Sequence, residues 1–363
     1  MVHFAWELPS RGDSRHVGHA PRHRGQWGPA PSSVVATDIR DGRFGPFDAL
    51  DQIIAGAEIT GYDSVIAPYD PEGEESWIVA GNALRQTRHA RVGVEFHPGF
   101  GTPVYAAKVS ATLQRLSGDR LDWHLTVETS AADDRSRGDR TTTAEKYRRA
   151  DEFLTVAKGV WTGAGARGGG FAGGEFNFDG EYYDVINGGL DEAVTGHPFP
   201  TVHLSGVSPQ ALELSARHGD VHLFELSTTG ATPPQLGELS TRAQDHGRRV
   251  AAGLRLPIIA RETSDEAWAR LRRQWGEVFD SVSDDDLATR RTDDLVFNGF
   301  DHIGHRSPVG LVGSYEAVAQ RLSELQRDGI DVFILSGIPH IEELHRGAEH
   351  LLYRADHNAR VLA

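Results

Sequence analysis

Ile330-Asp331-Val332-Phe333-Ile334-Leu335-Ser336-Gly337-Ile338-Pro339-His340-Ile341-Glu342-Glu343 is the stretch that decides the fold. Its first six residues are mostly β-branched or aromatic and read as a strand. The small Ser336-Gly337 step ends that strand, and Pro339 precedes a histidine that opens an acidic helix. The C-terminal end of a strand thus delivers an imidazole, and α/β barrels keep their chemistry at such ends. The plain alternative makes His340 a packing or helix-capping residue.

The rest of the chain repeats this pattern. Further strands are expected over 3–8, 63–67, 91–96, 121–127, 201–204, 221–224 and 254–260. Most lead into helical periodicity. Leu50, Ile53, Ile54 and Ala57 share one helix face. Pro103 stands at a favoured first helical position. Thr142-Thr143-Ala144-Glu145 and Thr263-Ser264-Asp265-Glu266 are capping boxes. Residues 176–183 read as a hairpin with Asp179-Gly180 at its turn. Eight strand–helix units imply an α/β fold, a (β/α)8 TIM barrel, with a doubly wound sheet as runner-up. One domain over 1–363 is expected. Insertions near 128–141, 163–187 and 281–310 would sit at its C-terminal face, and long irregular connections of this kind serve as lids.

Composition narrows the function. Lys and Arg number 37 against 52 Asp and Glu, a net charge of −15. Such a chain is a poor partner for nucleic acid or an anionic membrane surface. Cysteine is absent, which excludes disulfides, thiolate zinc sites and a thiol nucleophile. No run is long enough to span a bilayer, and residues 1–18 lack a signal-peptide core. A soluble cytoplasmic protein is expected.

His16, His19, His23, His302 and His305 come without H-E-x-x-H or converging carboxylates, so no metal is expected. Gly163-Ala164-Gly165-Ala166-Arg167-Gly168 matches G-x-G-x-x-G but follows a helix instead of a strand, and reads as a loop. Ser205-Gly206-Val207-Ser208 joins a strand to a helix. It is either an anion site at a helix N-terminus or an ordinary Ser208 cap. Arg255 lies within an apolar strand and needs an anion, either a substrate or a barrel carboxylate. Trp6 and Glu7 alternate, so one of them points inward.

In order along the chain, Leu8-Pro9-Ser10-Arg11-Gly12-Asp13, Gly61-Tyr62-Asp63-Ser64-Val65, Glu145-Lys146-Tyr147, Gly253-Leu254-Arg255-Leu256, Arg261-Glu262-Thr263-Ser264-Asp265-Glu266-Ala267-Trp268 and the closing Ser336 to Glu343 run resemble the bacterial luciferase-like superfamily. The likeness is greatest to FMNH2-dependent alkanesulfonate monooxygenases. The resemblance implies a flavin at the strand C-termini, with Ser205, Gly206, Val207, Ser208 and Tyr147 on the FMN phosphate. Trp6 and Thr126 are further candidate flavin contacts. It implies catalytic roles for His340, Arg255 and Arg306, the last on a mobile lid over 281–310. It implies a two-component reaction in which FMNH2, supplied by an NAD(P)H-dependent flavin reductase, forms a flavin peroxide with O2 and oxygenates a small organic substrate. Organosulfur compounds are one class it admits, and a homodimer or homotetramer is implied. An F420-dependent oxidoreductase of the same superfamily and a non-catalytic flavin-binding barrel are the alternatives. Arg11, Pro257 and Ile338 stand where the sulfonate enzymes have histidine, histidine and tyrosine, and these three are the candidate substrate-selecting positions.

Overall fold

The computed structural model describes residues 2–9, 46–163, 176–190, 194, 196–279 and 284–355. Arg11, His16, His19, His23 and the body of the glycine-rich run lie outside the described residues. In chain order the strands are β1 (His3–Glu7), β2 (Ser64–Ala67), β3 (Arg91–Phe96), β4 (Leu121–Leu125), β5 (Phe176–Asp179), β6 (Asp184–Gly188), β7 (Thr201–Ser205), β8 (Val221–Glu225), β9 (Ala251–Arg261), β10 (Val296–Asn298), β11 (Val309–Ser314) and β12 (Ile330–Ser336). The fold is a (β/α)8 barrel built from β1 to β4, β7 to β9 and β12. Two compact units divide the chain: Met1–Glu74, Phe224–Pro233 and Ala252–Ala363 form one, and Glu75–Leu223 and Pro234–Ala251 the other.

In the first unit β9, β12, β1 and β2 lie side by side in parallel. Ala5 pairs with Ile334, and Ile334 with Arg255. Side chains alternate along a strand, so Ala5, Glu7, Ser336, Arg255 and Pro257 share one face. Phe4 and Trp6 take the other. Phe4 stacks on Phe333 at 5.6 Å, and Trp6 meets Tyr62 edge-on at 5.5 Å. Strand β9 changes partner at Pro257. Up to that residue it pairs with β12, and from Ile258 it pairs with β11. A proline, which lacks an N–H, suits such a changeover.

The 281–310 stretch reads as irregular, yet from Asp284 onward it is folded. A helix (Asp284–Arg290) leads to β10, which runs antiparallel to β11, and a 3-10 turn (Phe300–Ile303). Phe297, Phe300 and Ile303 are buried with Trp275, Leu271 and Val312. These anchors fall three residues apart on short, unlike elements, so no single period reveals them. Gly310 permits the close approach: a Cβ there would stand 2.4 Å from the Pro257 carbonyl and 2.6 Å from the Phe300 ring.

In the second unit β3, β4, β7 and β8 are parallel neighbours. Trp77, Phe96, Trp123 and Phe153 form an aromatic core. Buried Trp123 donates its indole N–H to Ser110 Oγ at 2.8 Å, which satisfies the polar edge of a fully buried ring. The polar 128–141 segment is a short helix, Ala131–Arg137, capped by Ser130. Its charges are internally paired: Asp134 accepts from Lys146 at 2.6 Å and Arg137 at 3.1 Å, and Asp139 accepts from Arg149 at 2.8 Å. The β5–β6 hairpin turns over Gly180 to Tyr183. Glu152, on the helix Thr143–Gly163, accepts from the backbone N–H groups of Glu181, Tyr182 and Tyr183 at 2.8, 2.8 and 3.2 Å. The turn is therefore held by a helix carboxylate, as well as by its own Asp-Gly chemistry.

Candidate active site

In the first unit the strand ends gather around Glu7, which is 5% exposed. Arg255 Nη1 lies 2.7 Å from Glu7 Oε2, and Arg306 Nη1 lies 3.7 Å from the same oxygen. Arg255 thus has the barrel carboxylate as its internal partner. Glu225 is a second carboxyl here: partial desolvation raises its pKa, while Arg255 and Arg306 act against that rise. Arg306 is the more open of the two arginines, with a third of its side chain exposed.

The closing strand ends beside two histidines. His305 Nδ1 is 3.2 Å from Ser336 Oγ. His340 opens the helix His340–Gly347, is buried, and lies edge-on to Trp6 at 6.3 Å. Trp6 is 2% exposed and faces Tyr62 and His340, so it takes the place of a core tryptophan. Ile338 is buried, and its carbonyl accepts from Arg270 at 3.3 Å. Pro257 is buried opposite Ser336. Arg261 forks onto Glu343 at 2.9 and 2.6 Å, which fixes the first turn of the His340 helix in the bidentate geometry that suits guanidinium and carboxylate.

The second unit brings Tyr147 and the 205–208 turn together, as expected, and adds a residue that was not. Tyr147 donates its hydroxyl to Glu128 Oε1 at 2.6 Å, and Ser208 donates to the same oxygen at 3.0 Å. Burial, then the Glu128 hydrogen bond, pushes the Tyr147 phenol upward, so it stays protonated and donates. Ser208 also caps the helix Pro209–His218, accepting from Ala211 N at 3.2 Å. Gly206 has φ +122, and a Cβ there would meet Ala211 Cβ at 2.8 Å and Tyr147 Oη at 3.2 Å. Only glycine suits that backbone and that space. Ser205 is exposed, and Val207 is 63% exposed.

His222 supports this turn from beneath. Its Nε2 lies 2.8 Å from the Gly206 carbonyl and its Nδ1 2.6 Å from Ser215 Oγ. A carbonyl can only accept, so Nε2 carries the proton and Nδ1 accepts from Ser215. Burial lowers the His222 pKa to about 4.

Thr126 donates to Glu95 Oε1 at 2.6 Å. Glu95 pairs in register with His124, and His124 with His203. The two imidazoles stack at 4.0 Å. All three are buried. This titratable row across β3, β4 and β7 was missed from sequence, although β4 and β7 carry polar residues at alternate positions, Asp122 with His124 and Thr201 and Ser205 with His203.

A family model described as luciferase-like monooxygenase matches residues 18–338. The chain belongs to the luciferase-like monooxygenase family. Its fold is similar to that of a riboflavin lyase solved with modified FMN and its substrate riboflavin, at 18% identity and TM-score 0.70, covering 97% of this chain and 90% of that one. It is also similar to the EDTA monooxygenase of Chelativorans sp. BNC1, at 17% identity and TM-score 0.68, covering 96% and 92%. The coenzyme F420-dependent tetrahydromethanopterin reductase of Methanopyrus kandleri matches at 13% identity and TM-score 0.65, covering 97% and 98%.

For a luciferase-like chain, the Tyr147–Gly206–Ser208 cradle has the right donors for an oxyanion: two hydroxyls and the start of a helix. The oxyanion that fills it is the chain's own Glu128. The two hydroxyls that a flavin phosphate would use are engaged by Glu128. Among the described residues, no three histidine, aspartate or glutamate side chains gather in a way that could hold a metal ion. No described helix is long and apolar enough to cross a membrane.

Proposed function

We propose that this protein is a flavin-dependent monooxygenase that receives its reduced flavin from an NAD(P)H-dependent reductase and oxygenates a small organic substrate. The match of the luciferase-like family over 18–338 carries this reading. The cluster at the end of β1 supports it. Buried Glu7 pairs with Arg255, and in this reading the more open Arg306 meets an anionic or strongly polar group of the substrate. Ile338 and Pro257 add apolar surface where the sulfonate enzymes carry polar side chains, which favours a substrate larger or less charged than a simple alkanesulfonate. His340 supplies an imidazole held by its helix and by Trp6. The redox chemistry belongs to the cofactor, and the protein's share is binding and orientation.

The test is oxygen uptake by purified protein with a flavin reductase, NAD(P)H and a panel of organosulfur and other small organic substrates. Uptake that rises with one substrate, with oxygenated product formed, supports the reading. Arg306→Ala should then raise KM for an anionic substrate about ten-fold and change kcat little, the signature of lost uniform binding. Anaerobic titration with reduced FMN and reduced F420 separates the monooxygenase from an F420-dependent hydride-transfer enzyme. Tight binding of F420 alone, with no substrate-dependent oxygen uptake, would replace the first reading with the second. Binding of flavin with no turnover of any kind would point to a non-catalytic barrel.

A further inference from the structure

We propose that Glu128 decides which form of the flavin this chain takes: its carboxylate holds the place that a phosphate ester needs, so riboflavin binds at least as well as FMN. The inference rests on the flavin reading above and deepens it.

The donor count comes first. The Tyr147 and Ser208 hydroxyls both donate to Glu128 Oε1, at 2.6 and 3.0 Å. A hydroxyl has one proton, so neither serves a second anion while Glu128 stays. The space is also taken: the Cβ position above Gly206 is bounded by Tyr147 Oη at 3.2 Å and Glu128 Oε1 at 4.0 Å. A tetrahedral phosphate is bulkier than the planar carboxylate already seated there.

Charge points the same way. Among the described residues no lysine or arginine reaches within 4 Å of the Glu128 carboxylate. A groove of about 570 Å³ beside Tyr147 is lined by Arg148, Arg217 and Arg242. Each already faces a carboxylate, Glu181 at 3.1 Å, Asp151 at 2.6 Å and Glu213 at 3.1 Å respectively. A phosphate dianion placed beside Glu128 would therefore add like charge to like charge, and among the described residues the arginines of that groove are already paired. Riboflavin ends in a neutral hydroxyl, which can donate to Glu128 and leaves the Tyr147 and Ser208 bonds intact.

The test is a set of anaerobic titrations of wild type, Glu128→Ala and the isosteric Glu128→Gln with reduced riboflavin and reduced FMN, followed by flavin fluorescence. Inorganic phosphate is titrated alongside by calorimetry. Wild type should bind riboflavin as tightly as FMN or more tightly. Removing the charge should strengthen FMN binding by roughly ten-fold or more, with riboflavin changed much less. A wild-type preference for FMN of ten-fold, or an FMN-to-riboflavin ratio unmoved by both substitutions, overturns the proposal and leaves the flavin reading standing. If neither flavin binds any of the three proteins, the flavin reading fails and the proposal about flavin form fails with it. The phosphate titration then shows whether the carboxylate guards the cradle at all: phosphate binding to Glu128→Ala but not to wild type keeps that part, and equal binding overturns it.

Discussion

Glu7 and Glu128 both occupy donors that a bound molecule was expected to use, but their surroundings differ. Glu7 is buried and faces two guanidinium groups. Glu128 is exposed and faces two neutral hydroxyls. A buried carboxylate between cations is part of the framework, since removing it strands charge out of water. An exposed one held by hydroxyls keeps its charge in contact with water, so its removal strands nothing. The same chemical group is therefore a fixture in one unit and an occupant in the other.

The largest effect should come from breaking the fixture. Glu7→Gln removes the carboxylate that Arg255 and Arg306 share, and folding stability should fall by about 3–5 kcal/mol, read as a lowered urea midpoint. A loss below 1 kcal/mol would mean that Glu7 is as replaceable as Glu128. Acid tests the support under the cradle. The His222 pKa in the folded chain, about 4, lies below the usual 6.5, so its contribution is complete above pH 6.5 and is lost as the pH falls toward 4. That contribution is at most about 3 kcal/mol. His97, also lowered to about 4 by burial and then by Arg149, adds a second such term. Unfolding free energies measured between pH 8 and 4.5 should decline less steeply for His222→Gln than for wild type, and identical slopes would refute the assignment. The smallest effect sharpens the contrast from the other side. Glu128→Gln keeps an acceptor for both hydroxyls, and stability should change by less than about 1 kcal/mol. A larger loss would move Glu128 into the framework.

How far the sequence carried these conclusions depended on the range of the interactions. Strand β3 has its expected bounds, Arg91–Phe96, and the helix Pro103–Ser117 starts at its proline. Both are written in local residue preferences and caps. The Thr263 capping box is also local, and both of its reciprocal bonds form. The Ser205 to Ser208 turn was legible as either an anion site or a helix cap, and Ser208 does cap its helix. Its occupant was not, because Glu128 lies 80 residues from Ser208. The partner of Arg255 was likewise hidden, since Glu7 belongs to the first strand. In the 128–141 segment a dense run of Asp and Arg read as a long irregular connection. Its charges instead meet Lys146 and Arg149 on the next helix, and pairing of that kind leaves no periodic trace.

Strand β9 pairs with β12 before Ile258 and with β11 after it. Every strand has a right-handed twist, and neighbours must agree on it. A strand shared by two neighbours cannot follow either alone, so its coiling is a compromise between them. Arg255 stands three residues before the changeover. The strand that carries it is paired onward with β11, more than fifty positions later in the chain. Packing changes at Val309 to Ser314 therefore bear on the strand that holds Arg255 against Glu7.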